Sequence, residues 1–318
     1  MTYLLLLVGF GLLIVGANYF VEGASKIATL LRVSPMLIGL TIVAFGTSSP
    51  EATVSIIAAL NGSEGVALGN VVGSNVFNTT LILGLTALVI VIKVQSETIK
   101  KEIPFTLLAS VVLLILVSDV SLQGMDTNTV TRGDGLILLS FLVIFLYYLI
   151  EVARNSRESS AAEHNPADRP PLGRNLIFGL AGLGAIIYGG HLVVQNSTMI
   201  ALQWGMSETL VGLTIVAAGT SLPELVTSVA AALKGENEIA VGNIVGSNIF
   251  NILFVLGLSA VISPLRVEGS MTLDMLILIA ITVILFVMAR TGSKISRLEG
   301  LFLTALFAGY MTFIIIRG

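Results

Sequence analysis

The chain has 318 residues, of which 55% are hydrophobic and only 11% are charged, and its mean hydropathy is +0.98. A soluble globular domain carries about 25% charged residues, so this composition excludes that class and indicates a protein that crosses a membrane several times. The absence of cysteine excludes disulfides, thiol catalysis and iron–sulfur ligation. A net charge of −3, without a basic patch interleaved with aromatic residues, predicts no nucleic-acid partner.

Ten apolar segments are long enough to cross a bilayer, which takes about 20 residues per helix. They lie near residues 3–23, 36–59, 66–92, 103–120, 133–152, 173–195, 208–233, 239–263, 272–289 and 298–316. The polar stretch between the fifth and sixth segments is predicted to be a linker, residues 153–172. The first segment has no basic residue before Lys26, and its Gly9 and Gly16 have counterparts later in the chain. We therefore expect it to be a retained helix and not a signal peptide.

The chain repeats itself at a constant offset of 173 residues. Residues 39–85 align without a gap to residues 212–258, and 28 of these 47 positions are identical. Because each half contains five predicted spans, an odd number, the second half enters the membrane in the opposite orientation to the first. The predicted fold class is therefore an all-α membrane protein, with ten transmembrane helices arranged as two inverted-topology five-helix repeats, residues 1–152 and 173–318. This architecture is typical of secondary transporters.

Lysine and arginine are unevenly distributed between the two sides of the predicted spans. Only Arg132, Arg266 and Arg317 fall on one side, and the remaining members of the set of 16 fall in the loops after odd-numbered spans or in the linker. The positive-inside rule places those loops in the cytoplasm. We therefore expect a multi-pass protein of the plasma (inner) membrane, with a cytoplasmic linker and both termini outside.

Each repeat carries one glutamate within a membrane-length apolar stretch, Glu51 in GTSSPE and Glu224 in GTSLPE. An ionised acid at the bilayer centre costs between ~2.5 and more than ~10 kcal/mol, so such a group binds a cation or takes up a proton. The preceding proline has no N–H and leaves a carbonyl without its helical donor. Carboxylate, hydroxyl and carbonyl oxygens suit Ca²⁺ or Na⁺. The hydroxyl and acid side chains that share one helical face are Thr47, Glu51 and Ser55 in the first repeat, and Thr220, Glu224 and Ser228 in the second.

A second polar motif, GN-xx-GSN-xx-N, follows the glutamate in each repeat. Its Ser74 and Asn78 are one helical turn apart, as are Ser247 and Asn251, so each pair can add oxygens from a neighbouring helix. The other asparagines of the motif are interpreted as structural: Asn70, Asn75, Asn243 and Asn248. Two glutamates would neutralise one Ca²⁺, which takes about 6–8 oxygens. Release of Ca²⁺ uncovers two charges, so Na⁺ or H⁺ should refill the site before it reorients.

The paired GTS-x-PE and GN-xx-GSN-xx-N segments resemble the α-repeats of the Ca²⁺:cation antiporter superfamily, most closely its prokaryotic Na⁺/Ca²⁺ exchanger branch. The resemblance implies antiport of Ca²⁺ for Na⁺ at a midplane site built from both repeats, with spans 1 and 6 sliding over the other eight. It implies no cofactor beyond the transported ions, a lipid bilayer as surroundings, and no obligate protein partner. The ligands that it implies are Glu51, Glu224, Thr47, Thr220, Ser48, Ser221, Ser74, Ser247 and Asn78, with the carbonyls of Ala44 and Ala217.

One position departs from the family pattern, because the archaeal exchangers carry an aspartate where this chain has Asn251. Two carboxylates then remain, which leaves Ca²⁺/H⁺ exchange open as the alternative to Na⁺ coupling. An intramembrane hydrolase that uses Glu51 and Glu224 as acid and base is disfavoured, since no nucleophile, histidine base or metal triad accompanies them. A passive channel is a further alternative. The chain is thus expected to be a transporter and not an enzyme.

Overall fold

The computed structural model describes residues 2–160, 172–205, 217–267 and 269–317. Residues 161–171 of the predicted linker, and residues 206–216, which include the start of the second repeat motif, lie outside the described residues. Helices account for most of the described chain. Two short antiparallel ribbons complete it: β1 (Ile92–Lys93) with β4 (Lys294–Ile295), and β2 (Asn128–Val130) with β3 (Leu265–Val267).

The α-helices of the first half are α1 (Thr2–Leu31), α2 (Pro35–Ile38), α3 (Ala44–Thr47), α4 (Ser49–Leu60), α5 (Glu64–Phe77), α6 (Leu83–Val89), α7 (Ser96–Lys100), α8 (Glu102–Leu116), α9 (Asp119–Gln123) and α10 (Arg132–Ser160). Those of the second half are α11 (Leu172–Gln203), α12 (Ala217–Thr220), α13 (Leu222–Leu233), α14 (Asn237–Phe250), α15 (Gly257–Ile262), α16 (Gly269–Gly292) and α17 (Arg297–Arg317). Within the part of the chain that the structure describes, three π-helical segments interrupt them: Gly39–Val43, Asn78–Ile82 and Asn251–Leu256.

The described chain is that of an all-helical, multi-pass membrane protein. Seven helices in it are long and apolar enough to cross a membrane, or eight if α2–α3 and α4, which meet at a 47° bend, form one span. The segment predicted near residues 103–120 is α8, of only 15 residues. The described part of the segment near residues 208–233 includes the 12-residue α13. The count of ten spans therefore stays a prediction.

The helices that carry the GN-xx-GSN-xx-N motifs are the most enclosed of the spanning helices. The apolar windows of Glu64–Val89 and Asn237–Ile262 are 78% and 83% buried, against 17% for Arg297–Arg317 and 22% for Arg132–Asn155. A lipid-facing helix exposes apolar side chains because the bilayer is itself apolar. The polar motifs are thus placed on helices that the rest of the protein shields from lipid.

Both glutamate motifs contain the same helix break. The chain leaves helical geometry at Ser48 (φ −79°, ψ 7°) and, in the second repeat, at Ser221 (φ −89°, ψ 7°). The next helix restarts with Pro50 or Pro223 within its first two residues, where the missing proline N–H is not needed. The break predicted from the prolines is present, and it puts each glutamate in the first turn of a new helix.

The chain folds into two compact units. Unit 1 comprises Met1–Pro50 and Tyr148–Asn243, and unit 2 comprises Glu51–Tyr147 and Ile244–Gly318. Each unit therefore draws residues from both sequence repeats. In unit 2 both ribbons join the two halves of the chain, with Ile92 opposite Ile295 and Thr129 opposite Arg266.

Unit 1 is built on backbone contact between α1 and α11. Gly9 meets Gly189, and Gly16 meets Gly182, so the glycines that match in the repeat register pack against each other's helices. A Cβ added at Gly16 would lie 2.8 Å from the carbonyl oxygen of Gly182. Only residues without a side chain permit this approach, and α1 and α11 therefore form one closely packed pair.

Replacement of Gly182 by alanine tests this packing. The new Cβ would lie 2.6 Å from the backbone nitrogen of Phe20 and 2.7 Å from the Gly16 carbonyl oxygen, so the helices must separate. Overpacking of this kind costs about 1–3 kcal/mol, and we expect a measurably lower melting temperature in detergent. Gly184→Ala on the same helix is the matched control, since a Cβ there meets nothing within 4 Å. Equal melting temperatures for the two variants would contradict the close contact.

Candidate ion-binding residues

Glu224 lies in unit 1 and is completely buried, with no part of the residue exposed. The Ser48 hydroxyl donates a hydrogen bond to its Oε1 atom at 2.9 Å. A hydroxyl can donate one hydrogen, and Ser48 donates it to the carboxylate and not to the helical carbonyl four residues earlier. Two candidate ligands from opposite repeats are therefore in direct contact within one unit.

Asn243 ties Thr47 to the helix that bears Glu224. Its Nδ2 donates to the Glu224 backbone carbonyl at 3.3 Å and to the Ser228 hydroxyl at 2.9 Å. Its Oδ1 accepts from the Thr47 hydroxyl at 2.9 Å. Asn243 is itself fully buried, so the amide connects the hydroxyl of one repeat to the acid-bearing helix of the other.

The Ala44 carbonyl occupies the last turn before the first helix break. It accepts the backbone N–H of Ser48 at 3.0 Å and lies 3.4 Å from the Thr47 hydroxyl oxygen. A carbonyl oxygen has two lone pairs, so one of them can still face an ion. In the second repeat, Ala217 begins the matching short helix α12, which ends at Thr220. Thr220 and Ser221 are both buried.

Glu51 lies in unit 2 and is likewise fully buried. The Nδ2 atom of Asn70 donates to the Glu51 backbone carbonyl at 3.1 Å and to the Ser55 hydroxyl at 2.9 Å. Ser55 in turn donates to the Ala67 carbonyl at 3.3 Å. Asn70 thus fastens the Glu51 helix to the next helix with the same pair of bonds that Asn243 makes in unit 1.

Four asparagines and one threonine form a buried network within unit 2, in which every member is at most 2% exposed. The Asn251 amide donates to Asn75 Oδ1, and the Asn78 amide donates to Asn248 Oδ1, both at 3.1 Å. Asn75 donates to the backbone carbonyl of Asn248 at 3.1 Å, and Asn248 donates to the Thr79 hydroxyl at 2.8 Å. Each candidate ligand asparagine is therefore held by an asparagine of the opposite repeat.

The side-chain oxygens of Asn78 and Asn251 are buried and have no hydrogen-bond partner among the described residues. An unsatisfied buried acceptor costs about 1–3 kcal/mol, and a bound cation would satisfy it. Both residues begin π-helical segments, a feature frequent at functional sites because it shifts side chains out of the regular helical register. Ser74 and Ser247, one turn before them, are buried as well.

The sequence predicts structural roles for the remaining asparagines of the motif, and the structure places each of them in contact with a candidate ligand or with a ligand-bearing helix. The sequence signal that could identify them is their recurrence at the offset of 173 residues. Within the described residues, no group of three or more His, Cys, Asp or Glu side chains could hold a metal ion. Most of the candidate donors are neutral hydroxyl, amide and carbonyl oxygens.

Comparison with known proteins identifies the family. The family model described as "Sodium/calcium exchanger protein" matches residues 1–151 and 175–316. The chain is 41% identical to the putative antiporter CaxA of Alkalimonas amylolytica over 312 residues, which span 96% of this chain and 95% of that protein. It is 33% identical to the sodium/calcium exchanger MaX1 of Methanosarcina acetivorans over 340 aligned positions, 98% of this chain and 97% of that one.

A solved structure agrees with these sequence relatives. The sodium-calcium exchanger NCX_Mj, soaked with 10 mM Na⁺ and zero Ca²⁺, superposes with a TM-score of 0.84 at 32% identity, over 98% of this chain and 99% of that one. These relatives are transporters and not enzymes, in agreement with the sequence prediction. Together with the family match over nearly the whole length, they establish that this chain belongs to the sodium/calcium exchanger family of membrane antiporters.

Proposed function

We propose that this protein is a secondary active antiporter that exchanges Ca²⁺ for Na⁺ by alternating access, at a midplane site to which both repeats contribute. The observation that carries the proposal is the hydrogen bond from Ser48 of the first repeat to the buried carboxylate of Glu224 in the second. It joins the two GTS-x-PE motifs through residues that have the oxygen chemistry of a Ca²⁺ or Na⁺ site. MaX1 and NCX_Mj, both named as sodium/calcium exchangers, support the same function.

The proposed cation ligands are side-chain and backbone oxygens that come from both repeats. Glu51 and Glu224 supply two negative charges, which together neutralise one Ca²⁺. The neutral ligands are Thr47, Thr220, Ser48, Ser221, Ser74, Ser247, Asn78 and Asn251, with the carbonyls of Ala44 and Ala217. The large cost of an uncompensated carboxylate inside a membrane keeps the empty transporter from reorienting. Ca²⁺ release is therefore coupled to the entry of the counter-ion.

The proposed topology is that of two inverted five-helix repeats, residues 1–152 and 173–318, with ten spans in total. The odd number of spans per repeat and the distribution of lysine and arginine support it. Both termini then face the outside of the plasma (inner) membrane, and the linker at residues 153–172 faces the cytoplasm. The proposed substrates are Ca²⁺ and Na⁺, with no cofactor and no obligate protein partner.

Ca²⁺/H⁺ exchange is the second candidate, and the amide at position 251 is the observation that favours it. With Asn251 in place of an acid, the candidate ligand set contains two carboxylates, and two protons could neutralise them when Ca²⁺ leaves. Na⁺ needs several oxygen ligands, which the hydroxyl and amide groups of the two motifs can supply. We favour Na⁺ because these neutral oxygens are numerous, whereas proton uptake needs only the acids.

Removal of either carboxylate tests the shared site. Glu51→Gln and Glu224→Gln should each lower Ca²⁺ uptake into proteoliposomes at least about 100-fold, since one charge-assisted ligand is worth more than about 2.7 kcal/mol in such a site. Glu102→Gln is the matched control, because Glu102 is a buried glutamate outside both motifs. Near-normal uptake by either motif variant, with the protein correctly folded by size-exclusion chromatography, would exclude a site that needs both acids.

The coupling ion is tested by the gradient that drives uptake. Proteoliposomes with an outward Na⁺ gradient should accumulate Ca²⁺, and vesicles with an outward H⁺ gradient at the same membrane potential should not. Flux driven only by H⁺ would assign the protein to Ca²⁺/H⁺ exchange. Equal Ca²⁺ leakage without any counter-gradient would indicate a channel.

A further inference from the structure

We propose that the turn between α13 and α14 clasps α1 and biases alternating access toward the state that is closed at the cytoplasmic end of unit 1. The residues involved are Asn18 and Ser25 of α1, with Lys234 and Glu236 of the turn, and we call them the clasp. All of them lie within unit 1. This inference rests on the proposed function and topology, because only a protein that alternates between two states can be biased toward one of them.

Hydrogen bonds join α1 to the turn. The Ser25 hydroxyl donates to Glu236 Oε1 at 2.5 Å, in a partly buried position. The Lys234 ammonium donates to the Asn18 backbone carbonyl, also at 2.5 Å, and a carbonyl inside a helix has a second lone pair for this purpose. Each bond involves an ionised side chain, which makes it stronger than a bond between neutral groups. Positions about two helical turns apart on α1 are thus fixed to the same turn.

The turn that holds α1 has a fixed backbone shape. Gly235 has a φ of +80°, in the left-handed region that glycine adopts at the ends of helices. The Glu236 N–H donates to the Ala231 carbonyl and the Gly235 N–H to the Ala232 carbonyl, both at 2.9 Å. These bonds join the turn firmly to α13, which carries Glu224 in its first turn. The clasp therefore connects α1 to the helix of a candidate ligand.

α1 and α11 can shift without dismantling the candidate site. Neither helix carries a candidate ligand, and their apolar windows are 33% and 39% buried, against 78% and 83% for the helices of the GN-xx-GSN-xx-N motifs. Their matching glycines hold them together as a pair. A hydrogen bond is lost when its atoms separate much beyond ~3.5 Å. A shift of α1 along its axis by half a helical turn, ~2.7 Å, would therefore break the clasp.

The chemistry of the clasp does not recur at the offset of 173 residues. The counterparts of Ser25, Lys234 and Glu236 are Thr198, Asn61 and Ser63. The turn itself is repeated, since Gly62 has a φ of +72° and the Ser63 N–H donates to the Ala58 carbonyl at 2.8 Å. Its side chains at the clasp positions are uncharged, and the Thr198 hydroxyl has no hydrogen-bond partner among the described residues. The repeats share the shape of the turn but not its charges.

The side of the membrane on which the clasp lies gives the direction of the bias. Lys234 belongs to the loops that the positive-inside rule assigns to the cytoplasm. Bonds at that end hold α1 against the end of α13 and favour the state that opens to the outside. Ca²⁺ at the cytoplasmic face then meets a binding-competent state that is only a minor fraction of the protein. The apparent KM at this face is raised in proportion, because the affinity scales with the competent fraction.

Removal of the clasp tests the bias. Ser25→Ala and Glu236→Ala should each lower the apparent KM for Ca²⁺ at the cytoplasmic face about fivefold, the effect of one lost hydrogen bond on a minor state. Neither should lower the KM at the outer face. The measurement is Ca²⁺ uptake into inside-out and right-side-out membrane vesicles loaded with Na⁺. Glu22→Gln is the matched control, since Glu22 pairs with Lys26 on the same helix and lies outside the clasp.

Unchanged KM values at both faces in both clasp variants would contradict the proposal, as would a lower KM at the outer face. An equal change in Glu22→Gln would contradict it too, because the effect would then be one of general charge. A contact that only anchors α1 would lower the melting temperature of Ser25→Ala without changing either KM. Glu236→Gln keeps an oxygen that can accept from Ser25, so its KM should lie closer to that of the wild type than the KM of Glu236→Ala.

A reversible cross-link tests whether α1 has to leave the turn. The chain has no cysteine, so Ser25→Cys/Glu236→Cys introduces its only thiols. A bifunctional methanethiosulfonate that joins them should abolish exchange, and a reductant should restore it. Lys93→Cys/Lys294→Cys, across the paired strands β1 and β4, is the matched control and should exchange normally when cross-linked. Full exchange by the cross-linked clasp would overturn the proposal.

The same experiments separate the clasp from the proposed function. Wild-type protein that exchanges no Ca²⁺ in either vesicle orientation would refute the proposed function. Wild-type protein that exchanges Ca²⁺, while the clasp variants and the cross-linked protein behave as the wild type does, would refute the clasp alone.

Discussion

The central constraint on this protein is the burial of the Glu51 and Glu224 carboxylates in a chain that crosses a lipid bilayer. Water cannot solvate them there, so the surrounding protein has to supply the polar contacts. Glu224 receives the Ser48 hydroxyl, and each glutamate starts a new helix directly after a break at a serine and a proline. The backbone N–H groups at the start of a helix favour a negative charge. The break and the proline therefore answer the same electrostatic problem twice, once in each repeat, and the Ser48 hydroxyl adds to them at Glu224.

The asparagines meet a second requirement, because the broken helices have to be held to their neighbours. They do so through hydrogen bonds from their side-chain amides. An amide offers donors on one atom and lone pairs on another, so it can hold a neighbour with its nitrogen and present its oxygen elsewhere. Asn70 and Asn243 use this property on the glutamate-bearing helices. Asn75 and Asn248 use it on the candidate ligand asparagines. Hydrophobic side chains could pack the same helices, but they could not donate hydrogen bonds to the backbone carbonyls of Glu51 and Glu224.

Much of the fold and of the candidate site could be predicted from the sequence, because the relevant signals are local or periodic. The apolar segments, the duplicated motifs and the helix breaks follow from composition, offset and proline chemistry, and the family follows from the resemblance of the motifs to its α-repeats. The contacts of Asn75 and Asn248 could not be predicted, since their hydrogen-bond partners lie about 170 residues away in the chain. The short α8 and the π-helical segments could not be predicted either. Hydropathy does not show where a helix ends within an apolar run, and a π-helical turn depends on packing that propensity does not encode.

The two repeats are similar but not identical, and the positions at which they differ have different hydrogen bonds. Where residues match, as with Asn70 and Asn243, the contacts match to within a few tenths of an ångström. Where they differ, as with Thr79 and Ile252, one half of the network acquires a reversible hydroxyl and the other ends on a fixed carbonyl. A duplicated gene starts with two equal halves, and each later difference between them can act on one half only. Asn78 therefore has a partner whose amide can reverse, whereas Asn251 has a partner whose amide is fixed by the Asn248 backbone carbonyl.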